Sequence, residues 1–285
     1  MPDSRFTHTN GVNLHYLDWR GSGPAVVCLH GVTGQAHTWD ALAEALSPEF
    51  RVIALDLRGH GDSEKPPGGY ATADFAADLE GIAQQLGLST FALIGHSLGA
   101  RIAALYGGLY CQRLTHLVLE DPAFPLRSGP TSSANSVLER ENARPPTFPT
   151  LEAAIEYIGG ETDLGSPIPH RERWTSEQMH GYVADALRQR ADGVWEWKYS
   201  HRAVLEILDQ ARQKGHADIM ENAKNISCPT LLVRGAESTV CTPENAKAIL
   251  SAIPNCRLVE VPGVGHGIHQ EKFTEFLAAV KEFLA

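Results

Sequence analysis

Phe91-Ala92-Leu93-Ile94-Gly95-His96-Ser97-Leu98-Gly99-Ala100-Arg101-Ile102-Ala103-Ala104-Leu105-Tyr106 runs from an apolar tetrad, through a Gly-His-Ser-Leu-Gly pentad, into small and apolar residues. The tetrad reads as a buried parallel strand, and the stretch from Leu98 to Tyr110 as a helix packed under a sheet. A G-x-S-x-G pentad between a strand and a helix describes a sharp turn that exposes a serine hydroxyl above the sheet. Such a turn holds its central residue at strained angles and needs small neighbours, which Gly95, Gly99 and Ala100 provide. It also places the amide of Leu98 at a helix N-terminus, where an N–H can stabilise a developing oxyanion. Without that strand and helix, Ser97 would be one serine between two glycines. In this context it is the expected nucleophile.

Outward from the turn the same alternation repeats. Ala25–Leu29, Val52–Leu55 and Leu117–Leu119 are further strand-like runs, and Phe75, Leu79, Ile82 and Leu86 recur with a helical period before Gly87. After Pro229 the pattern resumes with strand Leu231–Val233, a helix opening at Pro243, strand Leu258–Val261 and a last helix lined by Phe273, Phe276, Leu277, Val280 and Phe283. Strand–helix alternation of this kind predicts an α/β fold, a mostly parallel, doubly wound sheet with helices on both faces. Between these halves prolines concentrate from Pro122 to Pro169 and no strand-like run interrupts residues 125–225. Leu151–Ile158, Thr175–Arg190 and Arg202–Gln213 read as helices. The expected organisation is therefore a core of residues 1–124 and 226–285, with a helical lid, 125–225, inserted after the sixth strand.

Composition narrows the function classes. The chain of 285 residues carries 24 Lys and Arg against 34 Asp and Glu, a formal charge of −10 that opposes non-specific binding to nucleic acid or anionic membrane. No apolar run approaches the roughly 18 residues of a membrane span, and the N-terminus has no basic segment followed by an apolar one. Five cysteines (Cys28, Cys111, Cys228, Cys241 and Cys256) form no C-x-x-C pair, which suggests reduced thiols in a cytoplasmic setting. There is no P-loop, dinucleotide G-x-G-x-x-G, H-E-x-x-H or EF-hand pattern, so neither a cofactor nor a metal is expected.

Four motifs together resemble the lidded serine hydrolases of the α/β-hydrolase fold. They are His30-Gly31 after the strand at 25–29, Asp56-Leu57-Arg58-Gly59-His60-Gly61-Asp62-Ser63 after that at 52–55, the pentad at 95–99, and Pro262-Gly263-Val264-Gly265-His266 after the last strand. The resemblance covers nearly all of the chain except 125–225. It implies His266 as the base, with His269 facing the pocket rim or solvent, and the amides of Val32 and Leu98 as the oxyanion hole. His30, Arg58, His60 and Asp62 are then structural. The family's usual acid position after the seventh strand holds Ser238, which cannot supply a negative charge. Asp121, after the sixth strand, is the preferred replacement, with Glu237 the alternative. Glu120 is a weaker candidate, because alternation along a strand points it away from the side Asp121 serves.

Trp195, Trp197 and Tyr199 alternate in the lid and could wall an acyl pocket, although a role as the lid's own core is the stronger expectation. His37 and Trp39 are equally open to a place at the pocket entrance or to anchoring the first helix. The leading expectation is a cofactor-independent serine hydrolase cleaving a small or medium carboxylic ester or lactone, as a monomer or homodimer. The alternatives are a C–C or amide hydrolase of a catabolic intermediate, and a ligand-sensing receptor on the same fold.

Overall fold

In the computed structural model the chain is described over residues 1–124, 133–160, 176–214 and 217–285. The order of elements is β1 (Asp3–Thr9), β2 (Val12–Asp18), β3 (Ala25–Leu29), α1 (Asp40–Leu46), β4 (Arg51–Leu55), α2 (Thr72–Gln85), β5 (Phe91–His96), α3 (Leu98–Tyr110) and β6 (Leu114–Glu120). Then follow α4 (Ser133–Ala143), β7 (Thr147–Phe148), α5 (Leu151–Gly160), α6 (Ser176–Ala186), β8 (Leu187–Gln189), β9 (Trp195–Trp197), α7 (His201–Lys214) and α8 (Ala217–Ala223). The chain closes with β10 (Thr230–Gly235), α9 (Pro243–Ala252), β11 (Cys256–Val261), α10 (Ile268–Glu271) and α11 (Phe273–Leu284).

Eight strands form one sheet in the order β1-β2-β4-β3-β5-β6-β10-β11. From β4 to β11 all neighbours are parallel, and β1 and β2 add an antiparallel hairpin at one edge. The hairpin was not anticipated, yet its signal is local. Asn10 and Gly11 both have positive φ, 50° and 74°, as a two-residue turn matched to strand twist requires.

The pleat sorts the central strands onto two cores. Val27, Leu29, Leu93, Leu117 and Leu119 pack with α2, α3 and α8 on one face, while Val26, Cys28, Ile94 and Val118 pack with α1 and α11 on the other. Both faces are covered, which explains why these strands read as continuous apolar runs rather than alternating ones.

The expectation of an all-helical stretch at 125–225 is corrected. A small antiparallel sheet, β7-β9-β8, lies within it, and the helix expected over Thr175–Arg190 ends at Ala186 and continues as β8. Thr175 itself lies outside the described residues. The cause is a turn at Asp192-Gly193, where Gly193 has φ 85° and Arg190 N–H donates to Val194 O at 2.8 Å. Asp-Gly before alternating Trp195-Glu196-Trp197 is a hairpin signal that three-residue strands make easy to miss.

Candidate active site

Ser97 occupies the turn between β5 and α3 with φ 53° and ψ −108°, a conformation disfavoured for a non-glycine residue. It persists because the surroundings fix it. Ser97 N–H donates to Glu120 O at 3.0 Å, and Arg101 N–H donates to Ser97 O at 3.0 Å. A side chain at Gly95 would collide with the backbone of Gly99, and one at Gly99 with the carbonyl of Leu29. The glycines are thus demanded by close backbone approach. α3 begins at Leu98, so that residue's amide is among the unpaired N–H groups at the helix N-terminus.

His266 lies in the loop between β11 and α10, and its Nδ1 is 2.6 Å from Asp121 Oδ2. Asp121 is fully buried at the end of β6, with φ 41°. Its Oδ1 accepts from Gly235 N–H at 3.3 Å, and its Oδ2 also accepts from Ser238 Oγ at 2.5 Å. Ser238, the residue at the position where the family usually has its acid, is therefore a hydrogen-bond donor to the carboxylate on the neighbouring strand. Its Oγ in turn accepts from the N–H groups of Val240 and Cys241, at 3.1 and 3.2 Å. Sequence reasoning treated Ser238 as a vacancy. The usable signal was that a hydroxyl in that position can reach a carboxylate at the end of the adjacent strand. Glu237 is exposed.

The pleat also separates Glu120 from Asp121. Glu120 is fully buried, and its Oε1 accepts from His269 N–H at 2.8 Å and Nδ1–H at 2.9 Å. His269 is thus not at a rim or in solvent as expected. It is 6% exposed and stacks on Trp39 with ring centroids 4.6 Å apart. Two adjacent carboxyl groups serve two different histidines.

His96 is the fifth member of this cluster. Its Nε2–H donates to His266 O at 2.9 Å, and burial holds its imidazole well below the ordinary histidine value, so the ring is neutral. Three possible ligand atoms from His96, Glu120 and His269 lie within 4.8 Å of one another, as do three from His15, Asp56 and Asp62. Hydrogen bonds already engage both groups. Glu120 holds His269, and Asp56 accepts from His15 Nδ1–H at 2.7 Å and from Ala36 and Asp62 N–H.

The loop after β3 passes over the serine. A Cβ on Gly31 would stand 3.3 Å from Ser97 Cβ and 2.9 Å from His96 Nδ1, which brings the next amide, that of Val32, into the same neighbourhood. Val32, His37, Thr38 and His96 line one wall of a crevice of about 280 Å³, and Tyr182 and Asp185 of α6 line the other. His37 therefore reaches the crevice, its imidazole held above the ordinary value by its bond to Asp40. Burial raises the Asp185 carboxyl. Trp39 is fully buried and does not line it. Trp195 and Trp197 pack on the lid cluster around Phe148, Ile158 and Val183, and Tyr199 packs with Val204 and Leu208. Tyr199 Oη donates to the buried Glu141 at 2.8 Å. Trp195 and Trp197 pack on the small sheet's own cluster, whereas the Tyr199 cluster also takes in Val32 and the Tyr199 ring meets His60.

The motif at 56–63 is a structural junction. Arg58 pairs with Asp78 at 2.5 Å with both side chains buried, and His30 fixes its loop by donating from Nδ1 to Gly31 O and accepting Leu57 N–H at Nε2. Asp62 meets Lys198 at 3.6 Å, and Gly59 O accepts Ser200 N–H at 2.7 Å, which ties the segment after β9 to the core.

A strand–Ser–helix turn beside a buried carboxylate–histidine pair on this sheet defines a serine hydrolase. A family model described as alpha/beta hydrolase fold matches residues 24–273. The chain belongs to the α/β-hydrolase fold family. It is 27% identical to 2-(acetamidomethylene)succinate hydrolase of Mesorhizobium japonicum, over 93% of this chain and 89% of that protein. It is 29% identical to N-formylmaleamate deformylase of Pseudomonas putida, over 96% and 94%. The crystal structure of E-2-(acetamidomethylene)succinate hydrolase superposes with a TM-score of 0.86 at 26% identity, covering 100% of this chain and 99% of that one. No helix among the described residues is long and apolar enough to cross a membrane.

Proposed function

We propose that the protein hydrolyses a small or medium carboxylic ester or lactone through an acyl-enzyme, with residues 125–225 forming the lid over the site. Ser97 is the nucleophile, His266 the general base, and Asp121 the acid that holds its ring. The single observation that carries this reading is the 2.6 Å contact of His266 Nδ1 with the fully buried Asp121. A proton held on Nδ1 leaves Nε2 bare to take the serine proton. Ser97 Oγ then attacks the carbonyl carbon, and the amides of Leu98 and Val32 receive the negative charge on its oxygen. His266 passes the proton to the departing alcohol. Water, deprotonated by the same ring, releases the acid and regenerates the serine. No cofactor is needed for these steps. Five free cysteines fit a reducing, cytoplasmic compartment.

A second reading is hydrolysis of an N-acyl bond in a catabolic intermediate. It is favoured by the names of two relatives, an acetamidomethylene-succinate hydrolase and a formylmaleamate deformylase. The test is a panel of p-nitrophenyl esters of rising chain length, lactones and N-acyl enamines, each followed from burst to steady state. Turnover of esters or lactones at kcat/KM at least 100-fold above the N-acyl compounds supports the first reading, and the inverse order supports the second. A ligand that binds without turnover would make the protein a receptor and overturn both.

A further inference from the structure

Behind the proposed triad the structure holds a second acid–histidine–hydroxyl array. Glu120 Oε1 contacts His269 Nδ1 at 2.9 Å, and His269 Nε2 lies 3.1 Å from Thr38 Oγ1. Glu120 is 0% and His269 6% exposed, whereas Thr38 lines the crevice. The array therefore starts in the core and ends at the crevice wall. We propose that Thr38 is a specificity residue whose hydroxyl is locked by Glu120 and His269 as a hydrogen-bond acceptor, so that the crevice selects a substrate carrying an N–H or O–H donor.

Oε1 of Glu120 already accepts the backbone N–H of His269, so this oxygen acts as an acceptor, and the Nδ1 facing it carries the ring proton. In the proposed arrangement the ring carries that one proton, and Nε2 accepts from the Thr38 hydroxyl at 3.1 Å. That commits the only hydrogen Thr38 has. Gln270 Nε2–H donates to the same Oγ1 at 3.1 Å, which is consistent only with an oxygen that is not donating toward it. A hydroxyl oxygen has two lone pairs. One is used by Gln270 and the other remains for the crevice. His269 cannot turn to release the hydroxyl, because its ring is stacked on the fully buried Trp39 at 4.6 Å and its own backbone N–H is tied to Glu120. Thr38 thus differs from an ordinary surface threonine, which can rotate to donate or accept as a ligand demands.

His96 adds to the same polarity. Its Nε2–H is committed to His266 O, so its Nδ1, beside Gly31, bears a lone pair, and His96 also lines the crevice. Thr38 and His96 thus bring two fixed acceptors to the crevice. A substrate whose hydroxyl or amide N–H meets Thr38 keeps a full set of hydrogen bonds, whereas its O- or N-methylated analogue loses one and adds bulk. Sites built around a substrate hydrogen bond discriminate more strongly than apolar pockets do.

The inference rests on the serine-hydrolase reading, and the experiment separates the two. Matched p-nitrophenyl esters of hydroxy acids and their methyl ethers, over several chain positions, are assayed with the intact protein, Thr38→Val, Thr38→Ser and His269→Phe. Phosphonylation of Ser97 by a fluorophosphonate, with loss of fluoride, and the melting temperature are measured for each. In the wild type at least one hydroxy ester should exceed its methyl ether in kcat/KM by about tenfold or more. Thr38→Val, which keeps the shape, should reduce that ratio to near one, and Thr38→Ser should restore it. His269→Phe frees the hydroxyl to rotate and should lower the ratio without abolishing it, because the methyl ether can then be met by a donated hydrogen bond. Each variant should still be labelled at Ser97. A wild-type ratio near one across the series, or a ratio unchanged in Thr38→Val, overturns the inference while leaving the hydrolase reading intact. Failure of the wild type to be labelled or to turn over any ester overturns the hydrolase reading itself.

Discussion

Ser238 Oγ donates to Asp121 Oδ2 across 2.5 Å, joining the strand where the family usually carries its acid to the strand where this chain carries a carboxylate. Asp121 Oδ2 is the same atom that meets His266 Nδ1 at 2.6 Å. A carboxylate moved by one strand of the sheet can still reach the histidine, and the residue left at the old position becomes its support.

Replacing Ser97 by Ala is expected to lower kcat by on the order of 10⁴-fold or more, because members of such a triad act as a unit. The fold should survive, since Ala adds no bulk at a position already held at φ 53°. Steady-state assays and mass-spectrometric mapping of a phosphonate adduct check this. Label on any other residue, or a fully active variant, rejects the nucleophile.

Asp121→Asn and Glu237→Gln should behave oppositely. Asn keeps the size of Asp121 but can present an N–H to Nδ1 and favour the wrong tautomer, a defect worth up to about 10⁴ in kcat. Glu237 is exposed, and its amide variant should keep most activity. An inactive Glu237→Gln beside an active Asp121→Asn would move the acid to the other strand.

Ser238→Ala removes a donor to Asp121 and the acceptor of two amides, those of Val240 and Cys241. Leaving buried polar groups unmatched costs about 1–3 kcal/mol each, so a clear loss of stability in urea is expected, with kcat down roughly tenfold. In the Asp121→Asn background, Ser238→Asp should recover at least tenfold of the lost kcat by returning a carboxylate to the family's usual strand. No recovery in a well-folded double variant would show that His266 is out of reach from that strand.

Stability should fall in mild acid through His60. The side chain is fully buried, and desolvation lowers its value from 6.5 to about 3. The folded chain therefore keeps a neutral ring where the unfolded chain takes up a proton. The unfolded state binds more protons from about pH 6.5 downward, so stability is lost as pH falls through that window, by about 2 kcal/mol at pH 5 from this group alone. Urea unfolding at about pH 7.5 and pH 5 measures it. His60→Gln, which cannot titrate, should flatten the pH dependence by that amount, and an unaltered slope would remove His60 as its source.

The turn around Ser97 was legible because all its requirements are close in sequence. An apolar strand, two glycines and a helix of small residues fix the backbone within about a dozen positions, and the strict apolar runs of β3 and β5 announce a sheet covered on both faces. What sequence alone left open was which groups meet across the sheet. Asp121, Glu237 and Glu120 were all candidates for one histidine. The contacts divide them: Glu120 meets His269, Asp121 meets His266, and Glu237 is exposed. The burial of His269 against Trp39 and the support of Asp121 by Ser238 are likewise contacts between distant segments. Local propensity decides backbone conformation, but a side-chain hydrogen bond within 3 Å depends on where strands and loops come to lie once the two cores have packed.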